Sequence, residues 1–138
     1  MPFDDNIPTS PLVSILYRKQ TAYLNKKLKD VDLSYGLYPL LIQVYRLKEV
    51  SQEDLAKSLH LNESTITRNL EKLKKKGLIV KTPEKRKKII SMTDKGAETA
   101  QKIMDYDEKW DEIIKGNLSN EEFNALKNTL KKICEDLI

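Results

Sequence analysis

Apolar positions recur at three- and four-residue steps through most of this chain, which is the spacing of one face of an α-helix. Leu12, Ile15, Leu16, Tyr23, Leu24 and Leu28 mark the first such face. Ser10 followed by Pro11 has the chemistry of an N-cap and a first helical residue, so this helix is expected from Ser10 to about Lys29. Residues 1–9, with Pro2, Pro8 and the acidic Asp4 and Asp5, read as a loose tail. After a polar break at Asp30 to Ser34, Leu40, Leu41, Val44, Tyr45 and Leu47 mark a second helix ending near Lys48. Pro39 belongs in or near its first turn, where a missing N–H costs least.

The next segment is denser in signals. Ser51-Gln-Glu-Asp54 resembles a capping box, with Asp where Glu or Gln is usual, and opens a short helix with Leu55, Ala56 and Leu59 inside. His60-Leu61 is a turn, and Asn62 caps a longer helix that ends at Lys76, with Gly77 as the residue after it. Leu78-Ile-Val80 and Lys88-Ile-Ile-Ser-Met92 are β-branched runs flanking Thr82-Pro-Glu-Lys-Arg86, the pattern of a small antiparallel hairpin. Thr93 or Asp94 caps a helix to Lys115, Gly116-Asn117 breaks it, and Ser119-Asn-Glu-Glu122 starts a last helix by a capping box. Phe123, Leu126, Leu130, Ile133 and Leu137 then step 3-4-3-4. The order is four helices, a hairpin and two helices: a mainly α fold with a small antiparallel β-wing.

Composition agrees with that order. Four Gly and five Pro in 138 residues are too few for a β-rich chain, which needs frequent turns. No stretch approaches the roughly 20 apolar residues of a membrane span. The start, Met1-Pro-Phe-Asp-Asp5, lacks the apolar core of a secretory signal, and a single cysteine forms no internal disulfide. A cytoplasmic location is expected on those grounds. Cys134, beside Ile133, is expected as a buried structural thiol.

Charge changes the picture more than composition does. Residues 62–93 carry ten basic and three acidic side chains, whereas residues 94–138 carry seven basic and eleven acidic. A basic segment in an otherwise acidic chain suits a polyanion-binding face, and a solvated lysine-rich surface would have the same composition.

That segment contains a helix, a three-residue turn and a longer helix, which is a helix-turn-helix. His60 stands at a turn position that is often glycine, and histidine enters the left-handed region more readily than most residues. At about 100° per residue, Ile66, Leu70 and Leu73 of the second helix share one face. Ser64, Arg68, Glu71 and Lys75 point the opposite way, with Thr65 and Lys72 on one flank and Thr67 on the other. Short hydroxyls let a helix sit deep in a major groove, and an arginine can bond guanine O6 and N7 together. The lysines at 72 and 74–76 suit phosphates. An ordinary amphipathic helix would share this polar face; the wing that follows favours the groove reading.

The runs Ser51-Gln-Glu-Asp-Leu-Ala-Lys-Ser-Leu59, Asn62-Glu-Ser-Thr-Ile-Thr-Arg-Asn-Leu-Glu-Lys-Leu73, Gly77-Leu-Ile-Val80 and Met92-Thr-Asp-Lys-Gly96 resemble the MarR family of multiple-antibiotic-resistance-type repressors. Gly36-Leu-Tyr-Pro-Leu40 is similar to one branch of it. The resemblance is strongest over residues 51–96, and the flanking helices agree in number and order. It implies a single domain over residues 1–138, with a winged helix-turn-helix DNA-binding lobe at 35–93 and dimerisation helices at 10–30 and 95–138. It further implies a homodimer whose two lobes meet successive major grooves of a pseudo-palindromic operator, probing it with Ser64, Thr65, Thr67 and Arg68. The family's wing carries Asp-x-Arg with the arginine in the minor groove. Here the run is Glu84-Lys-Arg86, on a hairpin about four residues shorter than usual, so shallower insertion is expected. Lys85, Arg86 and Lys87, with Lys72 and Lys75, are then expected on phosphates. Family effectors are often phenolic or aromatic and lie between base and lobe, which puts Tyr17, Tyr35, Tyr38 and Tyr45 forward as ligand-binding residues; aromatic core packing is the other reading of them.

No cofactor or metal is expected. The one histidine lies in a turn, and there is no Cys/His cluster with metal-ligand spacing and no Gly-rich phosphate loop. An enzyme is disfavoured accordingly. The competing function is a winged helix that docks another protein without binding DNA, and the basic segment argues against it.

Overall fold

The computed structural model describes residues 3–138, so the part of the expected tail at Met1 and Pro2 lies outside it. Asp4 already starts a turn, its carbonyl accepting from the Ile7 N–H. Helix α1 (Thr9–Leu28) begins slightly before the expected Ser10. Pro8 is the N-cap, with φ −68° and an extended ψ of 166°, and no side chain caps the helix. Ser10 and Pro11 therefore lie within the first turn, where backbone N–H groups have no helical partner and a proline does no harm.

A 3-10 turn (Lys29–Val31) follows, then α2 (Tyr38–Leu47) with Pro39 in its first turn as expected. Lys48, at φ 66°, ends α2 and turns the chain into β1 (Glu49–Ser51), a strand missing from the expected order. Helix α3 (Gln52–Leu59) and α4 (Glu63–Lys75) form the helix-turn-helix. Strands β2 (Ile79–Glu84) and β3 (Lys87–Met92) form the wing, and α5 (Asp94–Lys115) and α6 (Asn120–Leu137) complete the chain.

The sheet has three antiparallel strands in the order β1-β3-β2, not the two of the expected hairpin. Val50 pairs with Ile90, so β1 closes the inner edge of the wing against the lobe. The expected loop at Thr82–Arg86 is also shorter: β2 pairs with β3 as far as Glu84 and Lys87. Pro83 fits within β2 because that strand is an outer edge, where no neighbour needs its missing N–H.

One core joins the lobe to α1 and α5. Leu24 and Leu28 of α1, Leu41 and Val44 of α2, Leu55 of α3, Ile66, Leu70 and Leu73 of α4, Ile90 of β3 and Ile103 of α5 are all fully buried. None of the buried residues belongs to α6. Cys134, expected buried, is exposed for that reason. Its helix contributes no buried residue to the lobe core.

Candidate nucleic-acid interface

Local chemistry positions the two helices of the motif. Ser51 Oγ accepts from the Asp54 N–H at 3.1 Å and starts α3. His60 ends it at φ 55°, ψ 38°, its N–H donating to the Ala56 and Lys57 carbonyls. That left-handed residue makes the corner. Asn62 Oδ1 then accepts from the Thr65 N–H at 2.8 Å and starts α4. The apolar face of α4 is sealed against the lobe, which fixes what the opposite face presents.

Ser64, Thr67, Arg68, Lys72 and Lys75 are exposed, and Thr65 is half-buried. The Ser64 hydroxyl donates to Asn62 Oδ1 at 2.8 Å. The Thr67 hydroxyl donates to the Glu63 carbonyl at 2.8 Å and accepts from Gln52 Nε2 at 2.7 Å. Arg68 enters none of the ion pairs found among the described residues. Lys72, Lys74 and Lys75 stand in the last turn of α4, where cations also complement the helix dipole.

Glu71 is the one acid on the outward face, and its charge is answered. The ammonium of Lys81 on β2 donates to its carboxylate at 3.0 Å. That hydrogen bond, then the Lys81 charge, holds the Glu71 carboxyl below its ordinary range, and Lys74 and Lys75 act the same way. The pair also ties the wing to α4. Sequence reasoning missed Lys81 and Gln52 because each acts on a residue ten or more positions away. It missed Lys95 too, whose Nζ donates to the Lys76 carbonyl at the open end of α4.

At the wing tip the turn is Lys85-Arg86, with Lys85 at φ 56°. Lys85, Arg86 and Lys87 are all exposed. Arg86, Lys87 and Lys88 share a cleft of about 240 Å³ with Gln52 and Glu53 at the start of α3 and Glu63 at the start of α4. The structure thus brings the basic tip and the entry of α4 to one side of the molecule.

The four tyrosines do not form one group. Tyr35 meets Tyr17 edge to face at 6.5 Å between ring centres and Tyr38 at 5.4 Å. Tyr45 stands apart: its hydroxyl accepts from Gln101 Nε2, and it lines a crevice of about 560 Å³ with Arg46, Lys48 and Met92. Among the described residues, no three His, Cys, Asp or Glu side chains gather closely enough to hold a metal ion. No helix there is long and apolar enough to cross a membrane.

Two helices at a tight corner, the second with an open outward face and followed by the two strands that complete a three-stranded sheet, define a winged helix-turn-helix. Known proteins place this one more narrowly. Residues 33–88 match the MarR family model. The HTH-type transcriptional regulator BilQ of Clostridioides difficile is 29% identical over 88% of this chain and 84% of its own. A MarR transcriptional regulator from Methanosarcina mazei Go1 superposes with a TM-score of 0.85 at 24% identity, over 97% of this chain and 92% of that one. A putative MarR family transcriptional regulator from Listeria monocytogenes, solved with a 26mer DNA, gives 0.81 at 25% identity over 92% and 87%. The fold is that of the solved MarR regulators, and the match to the family model spans the helix-turn-helix and most of the wing.

Proposed function

We propose that this regulator binds double-stranded DNA as a homodimer and represses transcription from a pseudo-palindromic operator in the cytoplasm. The observation that carries the reading is the outward face of α4, where Arg68 is exposed without an ionic partner and Glu71 is already neutralised. A DNA backbone repels an open carboxylate, and a groove-reading arginine must be free to form two bonds with guanine. On this reading residues 35–93 are the DNA-binding lobe and residues 10–30 and 95–138 the dimerisation helices of a single domain. Ser64, Thr65, Thr67 and Arg68 meet base edges. Lys72, Lys75, Lys85, Arg86 and Lys87 meet phosphates.

Support for the dimer is the groove of about 590 Å³ between α1, the end of α5 and α6, lined by Val13, Leu16, Trp110, Ile114, Phe123 and Leu126. The Tyr17, Tyr35 and Tyr38 cluster beside this base, and Tyr45 in its own crevice, support release by an aromatic or phenolic effector. A docking module would need neither the free arginine nor the paired Glu71.

The test is binding to duplexes enriched from a random-sequence library by the full chain. Arg68→Ala is expected to cost about 1–3 kcal/mol per half-site and relax preference at one base position. Lys75→Ala is expected to weaken all sequences alike and to flatten the salt dependence. Equal losses for Arg68→Ala on enriched and scrambled duplexes would overturn its role, and no enrichment at all would favour the docking module.

A further inference from the structure

We propose that Thr67 reads a thymine through its methyl group, and that Gln52 is the residue that positions it to do so. The inference rests on the proposed entry of α4 into a major groove. A threonine can offer a base a hydroxyl, as donor or acceptor, or a methyl group. At Thr67 the hydroxyl is engaged twice. Its single proton goes to the Glu63 carbonyl at 2.8 Å, one turn back in the same helix. Its oxygen accepts from Gln52 Nε2 at 2.7 Å. No donor remains, and both bonds turn the oxygen toward the protein. The side chain is nevertheless exposed, so the group it presents outward is the γ-methyl. In a major groove the matching apolar group is the 5-methyl of thymine.

Gln52 is placed for this task. It is the first residue of α3, directly after the capping Ser51. Its Oε1 is buried and has no partner among the described residues. The carboxamide is held in the junction by the bond its Nε2 donates to Thr67. Threonine in a helix otherwise divides between two rotamers, because its oxygen can bond a carbonyl in the preceding turn. The Glu63 bond takes one of them, and the Gln52 bond holds the oxygen there and with it the direction of the methyl. Gln52 is a positioning residue; Thr67 is the reader.

Deoxyuridine in place of thymine deletes the 5-methyl and nothing else. In duplexes enriched by the full chain, each symmetric pair of thymines is replaced in turn and binding is titrated. One thymine position is expected to lose about fourfold in affinity per half-site, the equivalent of one methyl returned to water. Thr67→Ser, which keeps the hydroxyl, is expected to bind thymine and deoxyuridine alike there. Thr67→Val, which keeps a methyl, is expected to discriminate still. Gln52→Ala is expected to narrow the discrimination while leaving the preference read by Arg68 intact, which a general loosening of the lobe would not do. Thermal melts of each variant establish that it is folded. Undiminished discrimination in Thr67→Ser, or its loss in Thr67→Val, overturns the reader. Full discrimination in Gln52→Ala overturns the positioning role. An enriched site without a methyl-sensitive thymine overturns this inference alone, whereas failure to enrich any duplex overturns the groove reading with it.

Discussion

Asp107 of α5 is half-buried near Tyr38 of α2, and burial is the first cause that lifts its carboxyl above the ordinary range. Repulsion from Asp111, one turn on, adds to the shift, and Arg46 partly opposes it. The Tyr38 phenol is raised as well, first by burial and then by the Asp107 charge. An acid whose pKa is raised on folding binds protons more readily folded than unfolded. Stability therefore falls as pH rises from the ordinary carboxylate pKa through the raised one, and stays lower above it. Asp107→Asn removes that charge. The expected outcome is a thermal midpoint a few degrees higher at pH 7, with the gain shrinking at pH 4. A gain that is the same at both values would show that the charge is not what destabilises. At this scale the caps were legible from sequence: Ser51, Asn62, Thr93 and Ser119 each accept from the N–H three residues on. Ser10 had the same local chemistry and does not cap, because Pro8 already gives the chain its entry into α1. The Asp107 environment was illegible, since Tyr38 and Arg46 are more than sixty positions away in the chain.

Elements were legible where periodicity ran long, as in all six helices, and failed where the partner makes the structure. Strand β1 has three residues and one apolar side chain, and its extended form comes from pairing with β3. Gly96, seen in sequence only as part of a motif, has a spatial cause: a Cβ there would lie 2.0 Å from the Leu78 carbonyl oxygen. The start of α5 thus packs directly on the residue leading into β2, which aims the wing. That wing is short, but its strands pair to a two-residue tip carrying Lys85 and Arg86. On the proposed function its cations would work mainly through phosphates. Arg86→Ala is expected to resemble Lys87→Ala, with a modest loss that is similar for all flanking sequences. Each phosphate left without its cation should make the negative log–log salt slope shallower by about 0.9. The check is affinity for two duplexes with the same half-sites and either A-tract or G·C flanks. An A-tract preference that disappears only in Arg86→Ala would mean the arginine enters the narrow minor groove after all.

For the molecule as a whole, the unanswered surface is the base. The lobe completes its core without α6, yet that helix carries five apolar residues in strict helical spacing. Phe123 and Leu126 are half-covered by α1 and α5, whereas Leu130 is 51% exposed, Ile133 48% and Leu137 80%. Val13 at 61% and Ile113 at 55% continue the apolar surface on α1 and α5. A stripe that leaves its own fold is stable in water only if something covers it, and a second copy offers the same stripe by two-fold symmetry. The pair would set two basic lobes apart on one side and place the acidic base away from the DNA. Half-sites about one helical turn apart would follow from the same axis. Because the dimer would bind folded chains and not unfolded ones, its thermal midpoint is expected to rise with protein concentration. Leu130→Glu with Ile133→Glu puts like charges into the stripe without touching the lobe core. The expected product sediments as a monomer, melts lower, shows no concentration dependence and loses the preference for paired half-sites over single ones. A wild-type chain that sediments as a stable folded monomer at micromolar concentration would remove the dimer, and with it the reason to expect a palindrome. A variant that still dimerises would instead place the contact on the exposed apolar residues of α1 and α5, Val13 and Ile113.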